Sequence, residues 1–348
     1  MITVKPVPID WHPGLSIFAK ESFLEAVGDE YGWLGGFAES GELRCVLPYT
    51  IIRKAVFRMA RFRTESLPMV QNFDVSEEKV FLNGAIDQLR SMKIDMIIPA
   101  TNNAIFRTYP DKADVAPYGS YAIDLTQPEG ALWMNIDRIT RQNIKSALKS
   151  GVRVREAAEN ELDKAYVLIR ETFKRSNLPF MGLRSFRSFL SGLGDYGKVL
   201  VADYEGMPQS YAVFGYSKYC AYAIYAGNSA EQRSGANKLL YWEAIRLFRN
   251  LGVQSYDFYG TRINPEKGSK QEALGLFKKR FGAELKQGYI WKYPFHSLKY
   301  LLYQLAVRVR SRGDIVDSEK HKMRYISPAP GGDPKATVTR AGTPIKRE

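Results

Sequence analysis

The run from residue 221 to residue 294 leaves this chain few folds to choose from. Residues 221–226 (AYAIYA) read as a buried strand and 227–236 as a glycine-containing loop. Residues 237–250 read as an amphipathic helix and 253–258 (VQSYDF) as a second buried strand. A loop, a helix ending in Phe277-Lys278-Lys279-Arg280-Phe281-Gly282 and a final strand follow. Strand, glycine loop, helix, strand is a βαβ unit, which turns the unpaired amides of a helix N-terminus toward an anion. With lysines on the next helix, the arrangement suits chemistry on a phosphate-linked, activated acyl group.

The same order of elements occurs earlier. Residues 85–100 (AIDQLRSMKIDMIIPA) lie over 244–259 (AIRLFRNLGVQSYDFY) without a gap, pairing Ala85 with Ala244, Ile86 with Ile245, Leu89 with Phe248 and Ile94 with Val253. Each block reads as an amphipathic helix followed by a buried strand. A hairpin precedes each: 31–38 and 43–49 around Ser40-Gly41, then 198–204 and 209–215 around Glu205-Gly206. The chain therefore reads as a duplication, and 348 residues suit two fused halves. VSEEKVFLNG precedes the first helix where the second copy has its glycine loop. Phosphate contacts are thus expected in the second half, with the first half as a wall for the other substrate.

The formal net charge of +13 favours partners that carry phosphate: RNA, a nucleotide or an anionic membrane surface. Three scattered histidines (His12, His296, His321) and two isolated cysteines (Cys45, Cys220) give no zinc-ligand spacing and no nucleophile beside a base. No metal is expected. Two cysteines make no disulfide framework, the N-terminus has no signal-peptide pattern, and no apolar run spans a bilayer. The expected location is cytoplasmic, with peripheral contact at the inner face of the membrane kept open.

The expected organisation has an N-terminal lobe (1–128), an interlobe helix (129–151) and a C-terminal lobe holding the active site (152–294). A basic amphipathic helix (295–312) and a disordered tail (313–348) complete it. The interlobe helix carries Arg138, Arg141, Lys145 and Lys149 on one side. In 295–310, Phe295, Leu298, Leu302, Leu305 and Val309 form a stripe that either docks on the protein's own core or lies on an anionic membrane. Docking is the expectation. The tail rests on its Pro/Gly/Thr-rich, basic composition.

With these elements placed, Tyr256-Asp257-Phe258, Phe277-Lys278, Phe281-Gly282 and Gly288-Tyr289 resemble the C-terminal signature of the FemABX peptidyltransferases. Tyr225, Gly227, Arg233, Leu239-Leu240 and Trp242 are similar to that family's second lobe, and Arg141 to Lys145 (RQNIK) to its interlobe helix. The resemblance covers roughly residues 15–295. It implies an α+β fold: two tandem GNAT-like domains, each a mixed, mostly antiparallel sheet flanked by helices, facing across a cleft. It also implies an acyltransferase that moves an aminoacyl group from aminoacyl-tRNA to an amine of a cell-envelope precursor such as a peptidoglycan stem peptide. Phe277 and Lys278 match the family's catalytic Phe-Lys pair and Arg233 its substrate-phosphate arginine. Arg280 departs from the small residue often found there.

Acyl transfer to an amine needs an oriented donor and compensation for charge on the tetrahedral oxygen. Lys278 is the candidate cation, against the alternative of a lysine favouring a helix C-terminus. Asp257 is the candidate acceptor of the amine proton, or else a hydrogen-bonded structural carboxylate. Phe277, Arg233, Tyr225, Tyr259 and Arg141 are candidate substrate-binding residues, the two tyrosines because they fall near the ends of adjacent strands. No resident cofactor is expected, since the donor is a co-substrate. Two rivals stay open. One is an acyl-CoA-dependent GNAT, in which Gly235 and Ala236 of Gln232-Arg233-Ser234-Gly235-Ala236-Asn237 cradle the pyrophosphate, although the Asn237 side chain crowds it. The other is a non-catalytic basic protein that binds RNA or membrane.

Overall fold

The computed structural model describes residues 2–311 and 313–326. Its strands are β1 (Thr3–Val7), β2 (Glu30–Phe37), β3 (Leu43–Lys54), β4 (Phe57–Phe62), β5 (Leu67–Pro68), β6 (Met96–Ile97), β7 (Asp114–Asp124), β8 (Arg153–Glu156), β9 (Gly197–Tyr204), β10 (Met207–Tyr216), β11 (Ala221–Asn228), β12 (Ser255–Asp257) and β13 (Glu284–Pro294). Its α-helices are α1 (Glu21–Val27), α2 (Val75–Ser91), α3 (Glu129–Asn135), α4 (Arg138–Lys149), α5 (Leu162–Lys174), α6 (Leu183–Leu193), α7 (Ala236–Asn250), α8 (Lys270–Lys279), α9 (Ser297–Ser311) and α10 (Ile315–Ile326). The fold is α+β, built on a mostly antiparallel sheet flanked by helices.

All the strands join in one sheet, ordered β1-β2-β3-β4-β6-β13-β7-β12-β11-β10-β9-β8, with β5 beside β3. The two ends of that order mirror each other. In the first half β1 to β4 run antiparallel, and β6 then lies parallel to β4 after the crossover helix α2. In the second half β8 to β11 run antiparallel, and β12 lies parallel to β11 after α7. The expected repeat thus reappears as topology. At the seam the halves exchange strands. The first half ends in β7, which pairs with β12; the second ends in β13, which pairs with β6, and β7 and β13 pair with each other.

Local chemistry explains the crossover helices. Asp74 accepts from the Glu77 amide at 2.8 Å while Glu77 accepts from the Asp74 amide at 3.2 Å, a capping box that starts α2. The inner face of α2 buries Phe81, Leu82, Ala85 and Leu89 in the first-half core; that of α7 buries Leu239, Leu240, Ile245 and Phe248 in the second. Trp291 of β13 sits in the first-half core, 1% exposed, 5.4 Å from Phe62 and 5.3 Å from Phe106. A third cluster joins the halves, packing Ile17, Phe18, Phe23 and Trp33 with Tyr166, Phe186, Val213 and Tyr222.

Three expectations need correction. The interlobe segment is two helices, because the Asp137 side chain accepts from the Ile139 and Thr140 amides and starts α4 afresh. On α9 the leucine stripe faces outward: Leu298, Leu302, Leu305 and Val309 are 63%, 48%, 60% and 83% exposed. Docking falls instead to Tyr300 and Tyr303, which pack on Met59, Met96 and Ile98, and to Lys299, which meets Asp95 at 2.8 Å. The tail begins as structure rather than disorder. Val316 of α10 is fully buried against Ile105, Ala116, Tyr118 and Ile290. The buried Lys292 ammonium meets Asp314 at 2.9 Å and Asp317 at 2.6 Å, offsetting the desolvation of all three charges. Residues 327–348, also expected to be disordered, lie outside the described residues.

Candidate active site

Strands β11 and β12 share two registered pairs, Ala221↔Tyr256 and Tyr222↔Asp257. Beyond them β11 runs on to Asn228 whereas β12 ends in a tight turn. Tyr259 (φ 60°) and Gly260 (φ 49°) both adopt the left-handed region, an unusual conformation for a tyrosine that the surroundings must enforce. Asp257 enforces it. Only 5% exposed, its carboxylate accepts from the Tyr259 amide at 2.6 Å through Oδ1 and from the Ser120 hydroxyl of β7 at 2.6 Å through Oδ2. Burial raises this carboxyl's pKa, and the two donors oppose that rise. A cramped site keeps residue 260 glycine: a Cβ there would lie 2.7 Å from Asn102 Cβ and 2.8 Å from Asn102 O.

The turn presents its carbonyls to α8. Lys278 Nζ, from the last turn of that helix, donates to Tyr259 O at 2.8 Å and Gly260 O at 2.5 Å. An ammonium has three N–H donors, so one remains. Burial pushes the Lys278 pKa down to about 8, with the Asp257 charge opposing the shift. Phe277 turns the other way, packing on Tyr241 and Phe281, each 5.2 Å away between ring centroids. The adjacent pair thus divides into an anchor in the core and a cation at the turn.

Tyr225 and Tyr259 both line a cavity of about 440 Å³. Its other walls come from the first half (Phe18, Phe23, Arg61, Arg63) and from α6. Tyr225 also packs on Phe180 and Phe189, and burial pushes its phenol up to about 12 and that of Tyr259 higher still. A larger hollow of about 760 Å³ along β8, α5 and α6 contains none of the expected residues. We assign the site to the smaller cavity, since it adjoins the Lys278 turn.

The structure therefore gathers Asp257, Tyr259, Lys278 and Tyr225 in one place, with Phe277 behind them. The other expected residues lie around α4 and the start of α7. The exposed Arg233 guanidinium stacks 3.6 Å over the Tyr204 ring, and its amide donates to Gln209 Oε1 at 2.8 Å. Gly235 (φ 83°) is crossed by α4: a Cβ there would meet Asn143 O at 2.3 Å, and Ala236 is fully buried. That crossing accounts for the glycine without a bound pyrophosphate. Arg141 turns back on α3, where Nη1 donates to Met134 O at 2.7 Å and Ile136 O at 2.6 Å. Its guanidinium holds the end of a helix.

Sequence reasoning missed Ser120, Arg61 and Arg63. The signal for the arginines was the alternation in Met59-Ala60-Arg61-Phe62-Arg63. With period two, Ala60 and Phe62 enter the first-half core while both arginines fall on the opposite face.

Comparison with known proteins accords with this fold. Residues 108–206 match the FemAB family. The lipid II:glycine glycyltransferase of Staphylococcus haemolyticus (strain JCSC1435) is 32% identical over 93 residues, 26% of this chain and 22% of that protein. The match therefore spans about a fifth of the relative's length. The crystal structure of FemX superposes with a TM-score of 0.61 at 15% identity, covering 81% of this chain and 92% of FemX. The C-terminal DUF2156 domain of a provisionally named lysylphosphatidylglycerol synthetase from Agrobacterium fabrum gives 0.51 at 12%, covering 84% and 92%. At such identities the two structures bear on the fold alone.

Proposed function

We propose that this chain is a FemAB-type transferase that moves an aminoacyl group from aminoacyl-tRNA to an amine of a cell-envelope precursor, such as a peptidoglycan stem peptide. One observation supports the reading above the others: a half-buried lysine, held by two strained-turn carbonyls, beside a cavity walled by both halves of the sheet. The neutral amine attacks the ester carbonyl, a tetrahedral oxyanion forms, and its collapse breaks the bond to the tRNA ribose oxygen, which leaves as a hydroxyl carrying the proton that the nitrogen gives up. Lys278, with one N–H uncommitted, stabilises the negative charge on the oxyanion or leaving oxygen. Asp257 acts as a positioning residue, because both carboxylate oxygens already accept hydrogen bonds that shape the turn. Arg233, at the entrance to α7, is our candidate contact for donor phosphate.

Contact with an anionic bilayer belongs to this reading. The exposed Leu298, Leu301, Leu302, Leu305 and Val309 form one apolar face of α9, with Arg308 exposed beside them on a chain of net charge +13. Among the described residues no helix is long and apolar enough to cross a membrane. Binding to phosphatidylglycerol vesicles, lost in a Leu302→Glu/Leu305→Glu variant, is the expected result.

The function itself is tested by mass spectrometry of envelope precursors from cells with and without the protein. The reading expects a mass increment of one aminoacyl group that disappears with the protein. Unchanged precursors, together with micromolar acetyl-CoA binding by calorimetry, would favour the CoA-dependent alternative.

A further inference from the structure

The two arginines of the cavity have no role in the reaction as described. Arg63 is only 7% exposed and Arg61 is half-buried, yet neither forms an ion pair among the described residues. Arg63 Nε donates to Thr50 Oγ1 at 2.8 Å and Nη2 to the Val27 carbonyl; Arg61 Nε donates to Pro99 O at 3.0 Å. Among the described residues Arg61 keeps both terminal nitrogens uncommitted, and Arg63 keeps Nη1. Such nitrogens form the fork that takes an oxyanion two bonds at a time.

Holding two like charges together, one buried and one half-buried, without a counter-ion is unfavourable, and folded chains normally supply a carboxylate. The carboxylate lining this cavity, Asp29, is solvent-exposed and, among the described residues, pairs with neither arginine, accepting instead from the Arg53 amide at 2.6 Å. Desolvation depresses the pKa of both arginines, that of Arg63 to about 9, with the Arg61 charge adding to the effect. The cavity is therefore short of negative charge, and aromatic side chains from both halves are ready to hold the body of a ligand.

We propose that Arg61 and Arg63 form an oxyanion-binding subsite for the acceptor, taking a phosphate ester or a carboxylate on the same molecule whose amine reacts near Lys278. The word acceptor rests on the acyl-transfer reading; the anion site rests on the cavity alone. It also places an anion contact in the first half, where the sequence offered only a wall.

Calorimetry on the full chain at low salt tests this, using pyrophosphate for the first source and the dipeptide Ala-Ala for the second. One of the two should bind wild-type protein, and the probe that binds names the chemistry. Arg61→Gln should weaken that binding about 10- to 100-fold, the range for a lost charged hydrogen bond, and Arg61→Lys by less. Arg63→Gln risks unfolding, since Arg63 also ties Thr50 to Val27, whereas Arg61 is bonded to one carbonyl and its melting curve checks the fold. Absence of binding by either probe up to roughly 10 mM, or undiminished binding by folded Arg61→Gln, overturns the proposal. If anions bind but no acyl group is ever transferred, the subsite stands and the function falls.

Discussion

The two halves of the sheet repeat one device and fill it differently. In each, a strand lies parallel to its neighbour for two registered pairs and then diverges: β4 from β6 after Ala60↔Ile97, and β11 from β12 after Tyr222↔Asp257. Beyond the divergence the first half places Arg61 and Arg63, and the second places Tyr225 and the turn that holds Lys278. The repeated scaffold thus occurs twice, and on our proposal one copy carries the charge that recognises and the other the cation that reacts. The exchanged strands β7 and β13 tie the copies together.

The strongest way to break this comparison is to cut the tie. Trp291→Ala removes a C-terminal side chain from the N-terminal core and should destabilise the protein by about 3–5 kcal/mol. A shift of the denaturation midpoint, with faster amide exchange in β3 and β4, would show it. If exchange rises only in β10 and β11, strand exchange does not couple the halves.

Gly260→Ala strains the second half's turn against Asn102 of the first. A methyl at φ 49°, within 2.8 Å of Asn102 O, should destabilise by about 1–3 kcal/mol and misplace the carbonyls that hold Lys278. Transfer should therefore fall more than melting temperature suggests. Equal loss in both measurements would reduce the turn to a structural feature.

The Lys278 pKa separates the halves by pH. Its folded value, about 8, lies below the 10.5 of a free lysine, so the unfolded chain binds more protons between those values, and the residue's contribution to stability rises with pH across that window. Activity should go the opposite way. If the cation is needed, kcat/KM falls about tenfold per unit above pH 8, while anion binding at Arg61 and Arg63 holds about a unit further and weakens as Arg63 loses its proton near pH 9. A profile rising through pH 8 would instead make Lys278 a base.

Arg233→Ala should have the smallest effect. The exposed guanidinium, stacked on Tyr204, contributes about 1 kcal/mol at most, so KM for the donor should rise roughly fivefold with kcat unchanged. An unchanged KM would remove it from the donor site.

Much of this architecture was legible. Helix α7 covers the expected 237–250, and the aligned blocks 85–100 and 244–259 became α2 with β6 and α7 with β12. The exchange of β7 and β13 was not, because strand partners far apart in sequence leave no local periodicity. Residues 315–326 were grouped with a tail whose Pro/Gly-rich composition begins only at 327, and Lys292, the buried counter-charge of Asp314 and Asp317, lies more than twenty residues away. At the candidate site, the residue types at 225, 257, 259, 277 and 278 stood out in the sequence. Arg61 and Arg63 did not, since a basic strand looks like a solvated hairpin until its second face is covered.

Single-turnover transfer by Lys278→Met tests the central claim most directly. With donor and acceptor binding measured on the same preparation, the account predicts a rate lower by about 10²–10³ and near-normal affinity for both. Transfer at the wild-type rate would contradict it.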